Sequence, residues 1–504
     1  FASAEAFPGS RYYHCFADQK NSADYAYAFG VNEFVLCASA YQPWIDKYPG
    51  STAGGKHYCL NRNNTYWEYS RPFWDYQARC SALMRKGVPV VDICVYLGQN
   101  PPVKLVTYRL PEIPEGYDFD VCTAEALVGR TMAVDGRLTL PTGISYSLLV
   151  IQRNNDMPLH VLRHIAGLVK GGVIVCGPRP DGSDSLKDKA ESEEYRALVD
   201  ELWGELTTVS QIRKVGKGKI YENIPLSEVL KYENIRPDIA IKSGNTAKDK
   251  VYFVHRRLSD ADVYFLNNHS DRAFHDTVRL RTDARQAEYW DAVTGQRYMI
   301  PVKASGEKGM LLNLTLAPRE SGFIVTSNNQ ATGLLPIIAD VQETITPIEG
   351  SWNVYFDPRW GGPGKVVFDE LIDWTVHADT GIRYYSGTAV YHKELNLAIP
   401  AQNERLLLRF PRLGSLARVW VNGKEVVTVW CSPWEADITS YVHEGKNNLK
   451  IEVVNSLMNR MIGDASLPES ERFTYAYPQI ATPTDKLVPS GIMEQLNLVY
   501  RQCQ

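Results

Sequence analysis

The chain has 504 residues, 44% hydrophobic and 22% charged. That is ordinary for a soluble globular protein and, at roughly 100–200 residues per domain, enough for about three to five domains. Lys+Arg at 54 against Asp+Glu at 58 leave a formal net charge of −4, which argues against nucleic acid or an anionic membrane surface as the main partner, and no apolar run approaches the ~18–20 residues that span a bilayer.

The opening residues, 1–10, lack the basic and apolar regions of a signal peptide. They read as the end of a buried strand that enters a domain part-way, with a break at Pro8 and Gly9. A short helix is expected next, with Ser22 as N-cap and Gly30 as its stop. The apolar run at 34–37 then predicts a buried parallel strand. One strand–helix–strand unit is not a domain, so residues 1–87 are expected to be the C-terminal end of a truncated (β/α)8 barrel, the remainder lying upstream. Residues 46–65 form a Gly/Asn-rich loop. The clearest helix follows at 71–86, with Ser70 as cap, Pro72 in the first turn and Gly87 at its end. Its apolar face is Phe73, Tyr76, Cys80, Leu83 and Met84.

Residues 88–245 alternate strands (90–95, 148–151, 173–176) with helices (120–129, 158–170, 192–203), and a hairpin is expected at Asp135 and Gly136. This order predicts an open, largely parallel sheet with helices on both faces. From 246 to 330 the helical period disappears and short alternating runs predict a small antiparallel β-sandwich. Residues 331–350 read as a linker. Residues 351–504 repeat the all-β pattern on a larger scale, with a hairpin turning at Asn422 and Gly423 and a half-buried strand at 448–454. The fold class is therefore multidomain α/β plus all-β.

Glu5 is the first candidate for chemistry. In a βα barrel the active site lies at the carboxyl ends of the strands, where a carboxylate can act as general base or nucleophile; the alternative is an ordinary strand-end residue. The loop at 54–67 carries His57, Asn61, Arg62 and Trp67, which offer hydrogen bonds to hydroxyls and a stacking face. Equally, its asparagines can cap one another while Trp67 plugs an edge. Neither G-x-G-x-x-G nor G-x-x-x-x-G-K-[ST] occurs, so no nucleotide or flavin is expected. Cys176 precedes Gly177 and Pro178 loosely as a nucleophile would, yet Ile174 stands where a small residue is required and no His is placed to activate it, so it reads as structural. Nine cysteines without a C-x-x-C pair indicate neither a zinc ribbon nor a dense disulfide framework.

Aromatic residues make up 11% of the chain, with 29 Tyr and 11 Trp, six of the latter after residue 350. Such residues fill β cores or stack on sugars. Trp420 is read as core, and Trp360 and Trp434, beside Pro or Gly turns, as secondary sugar platforms. Asp437, Asn455 and Asp464 are scattered oxygen donors, weak candidates for calcium.

With these residues in view, the chain resembles the glycoside hydrolases of family 106, the α-L-rhamnosidases. The match is carried by 3–7, 29–35 and 41–44, by 61–67 with the following helix, and by 177–180. Residues 385–391, 433–439 and 459–464 resemble a terminal sandwich of the sugar-binding type found in family 2 glycosidases. The resemblance implies a flavodoxin-like parallel domain and a jelly-roll, galactose-binding-like last domain. It implies a carbohydrate substrate, a rhamnose-containing plant glycan, and a periplasmic or extracellular location, with calcium as an accessory ion. It also implies inverting hydrolysis, with two carboxyl groups ~6.5–9.5 Å apart. Glu5 then activates water, and the acid precedes residue 1. Trp44, His57, Asn61, Arg62 and Trp67 become substrate-binding candidates. Two departures stand out: Cys37 and Tyr41 replace histidines common in relatives, and Leu457 and Met458 stand where Trp is frequent. Open alternatives are a non-catalytic carbohydrate-binding piece and a glycosidase of similar build acting on another sugar, such as a β-galactoside or glucuronide.

Overall fold

The computed structural model describes residues 1–7, 12–37, 39–55, 60–98, 110–152, 157–180, 182–183, 192–206, 208–244, 250–329 and 342–502. It is a mixed α/β structure with eight sheets among these residues. Strand β1 (Ser3–Ala6), helix α1 (Phe16–Tyr27) and strand β2 (Glu33–Leu36) form a strand–helix–strand unit. The two strands pair in parallel, with Glu5 opposite Val35.

Ser22 is not the cap of α1. It lies inside the helix and its hydroxyl donates to the Asp18 carbonyl at 3.1 Å. Cys15 is the N-cap, its backbone N–H donating to Asp18 Oδ2 at 2.8 Å. This is the capping-box geometry with a thiol in place of the usual hydroxyl. Strand β2 is also less buried than its apolar run predicts: Val35 is 58% exposed. Among the described residues β2 has β1 as its single strand neighbour, and they contain no closed barrel to cover its faces.

Helix α2 (Arg71–Met84) buries Phe73, Tyr76, Cys80 and Met84, as its pattern requires. Both helices pack on a six-stranded antiparallel sheet through Val254, Val263, Phe265 and Phe323. Phe16 and Phe73 stack at 4.9 Å within this core. At its centre Lys20 and Asp24 form a fully buried pair at 2.7 Å. Ser321 and the hydroxyl of Tyr76 complete the cluster.

The next sheet has the order Gln211–Val215, Gly218–Glu222, Ile174–Cys176, Leu148–Ile151, Ile93–Tyr96, Phe119–Cys122. All pairs are parallel except the first, an antiparallel hairpin. The helix expected from Asp120 begins only at Ala124. Asp120 lies instead in the edge strand Phe119–Cys122, and Thr123 caps the helix by accepting from Ala126 N–H. The Asp135–Gly136 hairpin is present, with both residues at positive φ. That conformation suits a type I′ turn. Cys176 is buried, and burial pushes its thiol up to about 11, an inert rather than nucleophilic state.

Both ends of this region join its neighbour: Val88–Pro89 pairs with Val251–Arg257, and Ile239–Ile241 pairs with Phe274–Leu280. The two antiparallel sheets thus extended share the core of Tyr264, Leu266, Val278, Leu312 and Ile324. After residue 342 a four-stranded and a six-stranded antiparallel sheet enclose a larger core containing Trp352, Phe356, Trp374 and Tyr391. Trp420 is not part of that core. It alternates with buried Val419 and Val421, so it lies on the outer face of its sheet, where Lys450 Nζ sits 4.2 Å over its ring.

Candidate functional site

Glu5 is exposed at the carboxyl end of β1. The following residue but one, Phe7, is buried at φ +63° and packs against Phe34 and Phe73 at about 6 Å, which anchors the strand end. Pairing with β2 continues past the strands through Cys37 N–H to the Ala6 carbonyl at 3.1 Å. The Cys37 thiol consequently reaches the Glu5 carboxylate: its hydrogen bond to Glu5, with some burial and the Glu5 charge, raises the thiol above its ordinary value and keeps it a donor. The residue that departs from the family pattern is thus in contact with the candidate carboxylate.

The chain leaving β2 forms a loop, 39–52, that ends in strand β3 (Pro49–Ser51). Gln42 fixes it from within, its amide donating to the Ser51 carbonyl at 2.7 Å and accepting from Ser51 N–H at 2.9 Å. From outside, Arg62 donates to the carbonyls of Gln42 and Trp44, both at 3.2 Å. Buried Asn63 donates to the Lys47 carbonyl at 2.9 Å. Asn61 accepts from Asn63 N–H at 2.9 Å. Of the two readings of the 61–67 loop, the one in which its polar residues brace the chain describes Arg62 and Asn61. Trp67 is partly exposed on a 3₁₀ turn whose next residue, Glu68, accepts from Arg418. His57 lies outside the described residues.

A third contribution comes from the far end of the chain. β3 pairs in parallel with Tyr475–Tyr477. Tyr475 meets Trp44 edge-on at 5.0 Å, and Lys47 Nζ lies 4.1 Å over the Tyr475 ring and 5.5 Å over Trp44. Beneath this strand pair one apolar cluster joins Tyr12, from the segment after β1, and Ala40, from the loop after β2, to Leu457, Met458, Met461 and Ile462. Trp360 belongs to the same cluster and meets Tyr48 edge-on at 5.5 Å. The structure therefore brings Trp44, Asn61, Arg62 and Trp360 to one joint, reached from the Glu5 end by both loops. Trp434 is elsewhere, packed against the core of the last two sheets. Lys47, Tyr475 and Tyr477 were not candidates from sequence, because nothing local in 473–477 signals a partner so distant in the chain.

The calcium candidates spend their oxygens within the protein. Asp437 binds Arg405 at 2.6 Å and the Thr439 hydroxyl at 2.5 Å. Asn455 accepts from Gly387 N–H and donates to the Tyr385 carbonyl. Asp464 binds Arg460 and the N–H groups of Phe473 and Thr474. These residues do not fit calcium, and among the described residues no group of three or more His, Cys, Asp and Glu is arranged for a metal.

A cleft of about 1120 Å³ lies away from Glu5, lined among others by Asp92, Arg137, Arg257, Asp262 and Arg281. Its charges answer one another: Arg281 binds Asp92 at 2.7 Å and Asp238 at 2.5 Å, while buried His255 bridges Asp238 and Asp262 at 2.8 and 3.0 Å. This network joins the parallel sheet to the sheets that follow it.

Comparison with known proteins bears on this geometry. A family model for the α-L-rhamnosidases of glycoside hydrolase family 106 matches residues 1–303, and the sugar binding domain of glycosyl hydrolases family 2 matches residues 339–500. A solved rhamnosidase from Novosphingobium sp. PP1Y superposes with a TM-score of 0.89 at 28% identity, over 99% of this chain and 47% of that one. A curated protein of Formosa agariphila, named "Putative beta-glucuronidase", is 23% identical over 90% of this chain and 57% of its own length. The chain thus spans about half the length of these relatives.

Proposed function

The chain belongs to the α-L-rhamnosidase family of glycoside hydrolases, and from that membership we propose that it is part of an enzyme that removes terminal α-L-rhamnose from a plant glycan with inversion. The observation that carries the proposal is Glu5, an exposed carboxylate at a parallel strand's carboxyl end within the matched region. In this reading β1, α1 and β2 are the closing elements of a (β/α)8 barrel, and a longer polypeptide supplies the other strands and the acid. The relatives' greater length supports that. The strand order of the central sheet supports a flavodoxin-like domain, and the paired antiparallel sheets on either side of residues 330–341 support two sandwiches.

In the reaction Glu5 draws a proton from water as its oxygen attacks the anomeric carbon. The acid, on the opposite face, protonates the leaving oxygen. Cys37 donates to Glu5 and so fixes the carboxylate's orientation while leaving it a base. Trp44, in the loop that follows β2, offers a stacking face held in place by Arg62, Asn63 and Tyr475.

The β-glucuronidase name of one relative favours a second substrate for comparison. The test is a panel of aryl glycosides assayed with the intact protein. The proposal expects turnover of the α-L-rhamnoside with β-rhamnose as the first product seen by NMR. Turnover of the β-glucuronide instead supports the second reading, and first release of α-rhamnose contradicts inversion.

A further inference from the structure

We propose that Cys94 and Cys122, on neighbouring strands of the parallel sheet, are a modification site: a thiol pair that a small-molecule disulfide, such as oxidised glutathione, converts to an intramolecular disulfide. The new bond pins the edge strand to the sheet. The site is independent of the reaction assigned to Glu5.

The strands Ile93–Tyr96 and Phe119–Cys122 run parallel, with Cys94 opposite Asp120 and Tyr96 opposite Cys122. Side chains alternate across a sheet, so Cys94, Tyr96, Asp120 and Cys122 share one face. Both cysteines pack there into the core of Tyr96, Leu127, Tyr146 and Leu162. Cys94 donates its S–H to the Cys122 sulfur at 3.4 Å. A disulfide bond is ~2.05 Å long, so the two sulfurs stand about 1.4 Å short of bonding.

The position of the pair lets the sheet close that gap. Phe119–Cys122 is the edge of the strand order, and among the described residues Ile93–Tyr96 is its single strand neighbour. A shift of this strand therefore disturbs no second ladder. Cys122 is its last residue, followed by Thr123, which caps the next helix. The pair is otherwise held in place: Leu97 N–H donates to the Cys122 carbonyl at 3.0 Å, and the Tyr146 hydroxyl donates to Asp120 at 2.9 Å. A bond between the sulfurs adds a covalent tie to an edge that now depends on one ladder.

The two cysteines differ in access, and this orders the steps. Cys94 is 2% exposed, whereas Cys122 is half-buried. The hydrogen bond to Cys122, and then burial, raise the Cys94 thiol well above its ordinary value, so it is not the first nucleophile. Cys122 loses its proton to solvent and its sulfur attacks oxidised glutathione, forming a mixed disulfide and expelling one glutathione thiolate. Cys94 then loses its proton, and its sulfur displaces the second glutathione from Cys122. One S–S bond forms and one breaks. The protein thiols give up two electrons and two protons, and one oxidised glutathione becomes two thiols.

The test treats the intact, folded protein with oxidised glutathione, blocks the remaining thiols with iodoacetamide and maps tryptic peptides without reduction. The peptides 87–104 and 110–130, which carry Cys94 and Cys122, are expected to be joined, with no glutathione retained on either. In Cys94→Ala, Cys122 is expected to keep one glutathione, because the displacing sulfur is gone. The oxidised parent is expected to unfold about 3–10 °C higher on heating than the reduced protein, a gain absent from Cys122→Ser. Peptides that stay separate in the oxidised parent, or a Cys122 that retains glutathione beside an intact Cys94, overturn the site. A joined pair that melts no higher than the reduced protein overturns the pinning of the edge strand.

Discussion

Trp44 meets Tyr475 edge-on with ring centroids 5.0 Å apart, although one residue sits in the loop after β2 and the other near the far end of the chain. The contact means that the geometry of the loop after β2 is set partly by the C-terminal region. Loops rest on the surface and carry function best when a scaffold fixes them. Here the scaffold is assembled from both ends of the sequence.

Asn63 tests that bracing. It is buried and donates to the Lys47 carbonyl at 2.9 Å. Asn63→Ala leaves that acceptor without its donor and is expected to cost about 1–3 kcal/mol locally. Faster proteolysis within 39–52 and a higher KM for an aryl α-L-rhamnoside are the expected readouts. Unchanged values of both contradict the role.

The buried Lys20–Asp24 pair joins α1 to the sheet behind it. Asp24→Asn leaves an uncompensated buried ammonium, with an expected loss of about 3–5 kcal/mol in denaturant unfolding. Burial lowers the Lys20 value, and Asp24 more than offsets this, so the net direction is upward. Its folded value thus exceeds its unfolded one. The corresponding stability is complete below the unfolded lysine value and is lost as pH rises through the folded one. A stability profile of the parent that stays flat through strongly alkaline pH, up to general unfolding, contradicts this.

Asp118 predicts the opposite end of the physiological range. Burial, with the charges of Asp120 and Asp238, pushes its carboxyl up to about 7 against the lowering effect of Phe119 N–H. A raised folded value gives stability that is complete below the unfolded value of about 4 and is lost as pH rises through about 7. Asp118→Asn removes this loss. The variant should melt higher than the parent at pH 8 and alike at pH 4; a lower melting temperature at pH 8 contradicts the assignment.

Much of the architecture was readable in the sequence because local signals agreed with the global fold. The apolar face of α2 at Phe73, Tyr76, Cys80 and Met84 is the face it buries, and Asp135 and Gly136 turn the hairpin they announce. Legibility failed where a residue did an unusual job or where the deciding neighbour was distant. Cys15 caps α1 in place of Ser22, and Asp120 sits in a strand although acidic residues commonly open helices. Trp420 looks like core by type, yet strand alternation turns it outward. Of the candidate site residues, Glu5, Trp44, Asn61 and Arg62 carry a signal in the sequence and the resemblance together. The contacts of Cys37 with Glu5, and of Tyr475 with Trp44 and Lys47, arise from pairing between strands and carry no local pattern.

The central claim is that Glu5 is the base of an α-L-rhamnoside hydrolysis. Its most direct test is kcat/KM of Glu5→Gln in the intact protein on an aryl α-L-rhamnoside, with circular dichroism to verify the fold. The account predicts a loss of at least about 100-fold, the scale of a positioned general base. Turnover within about twofold of the parent contradicts it.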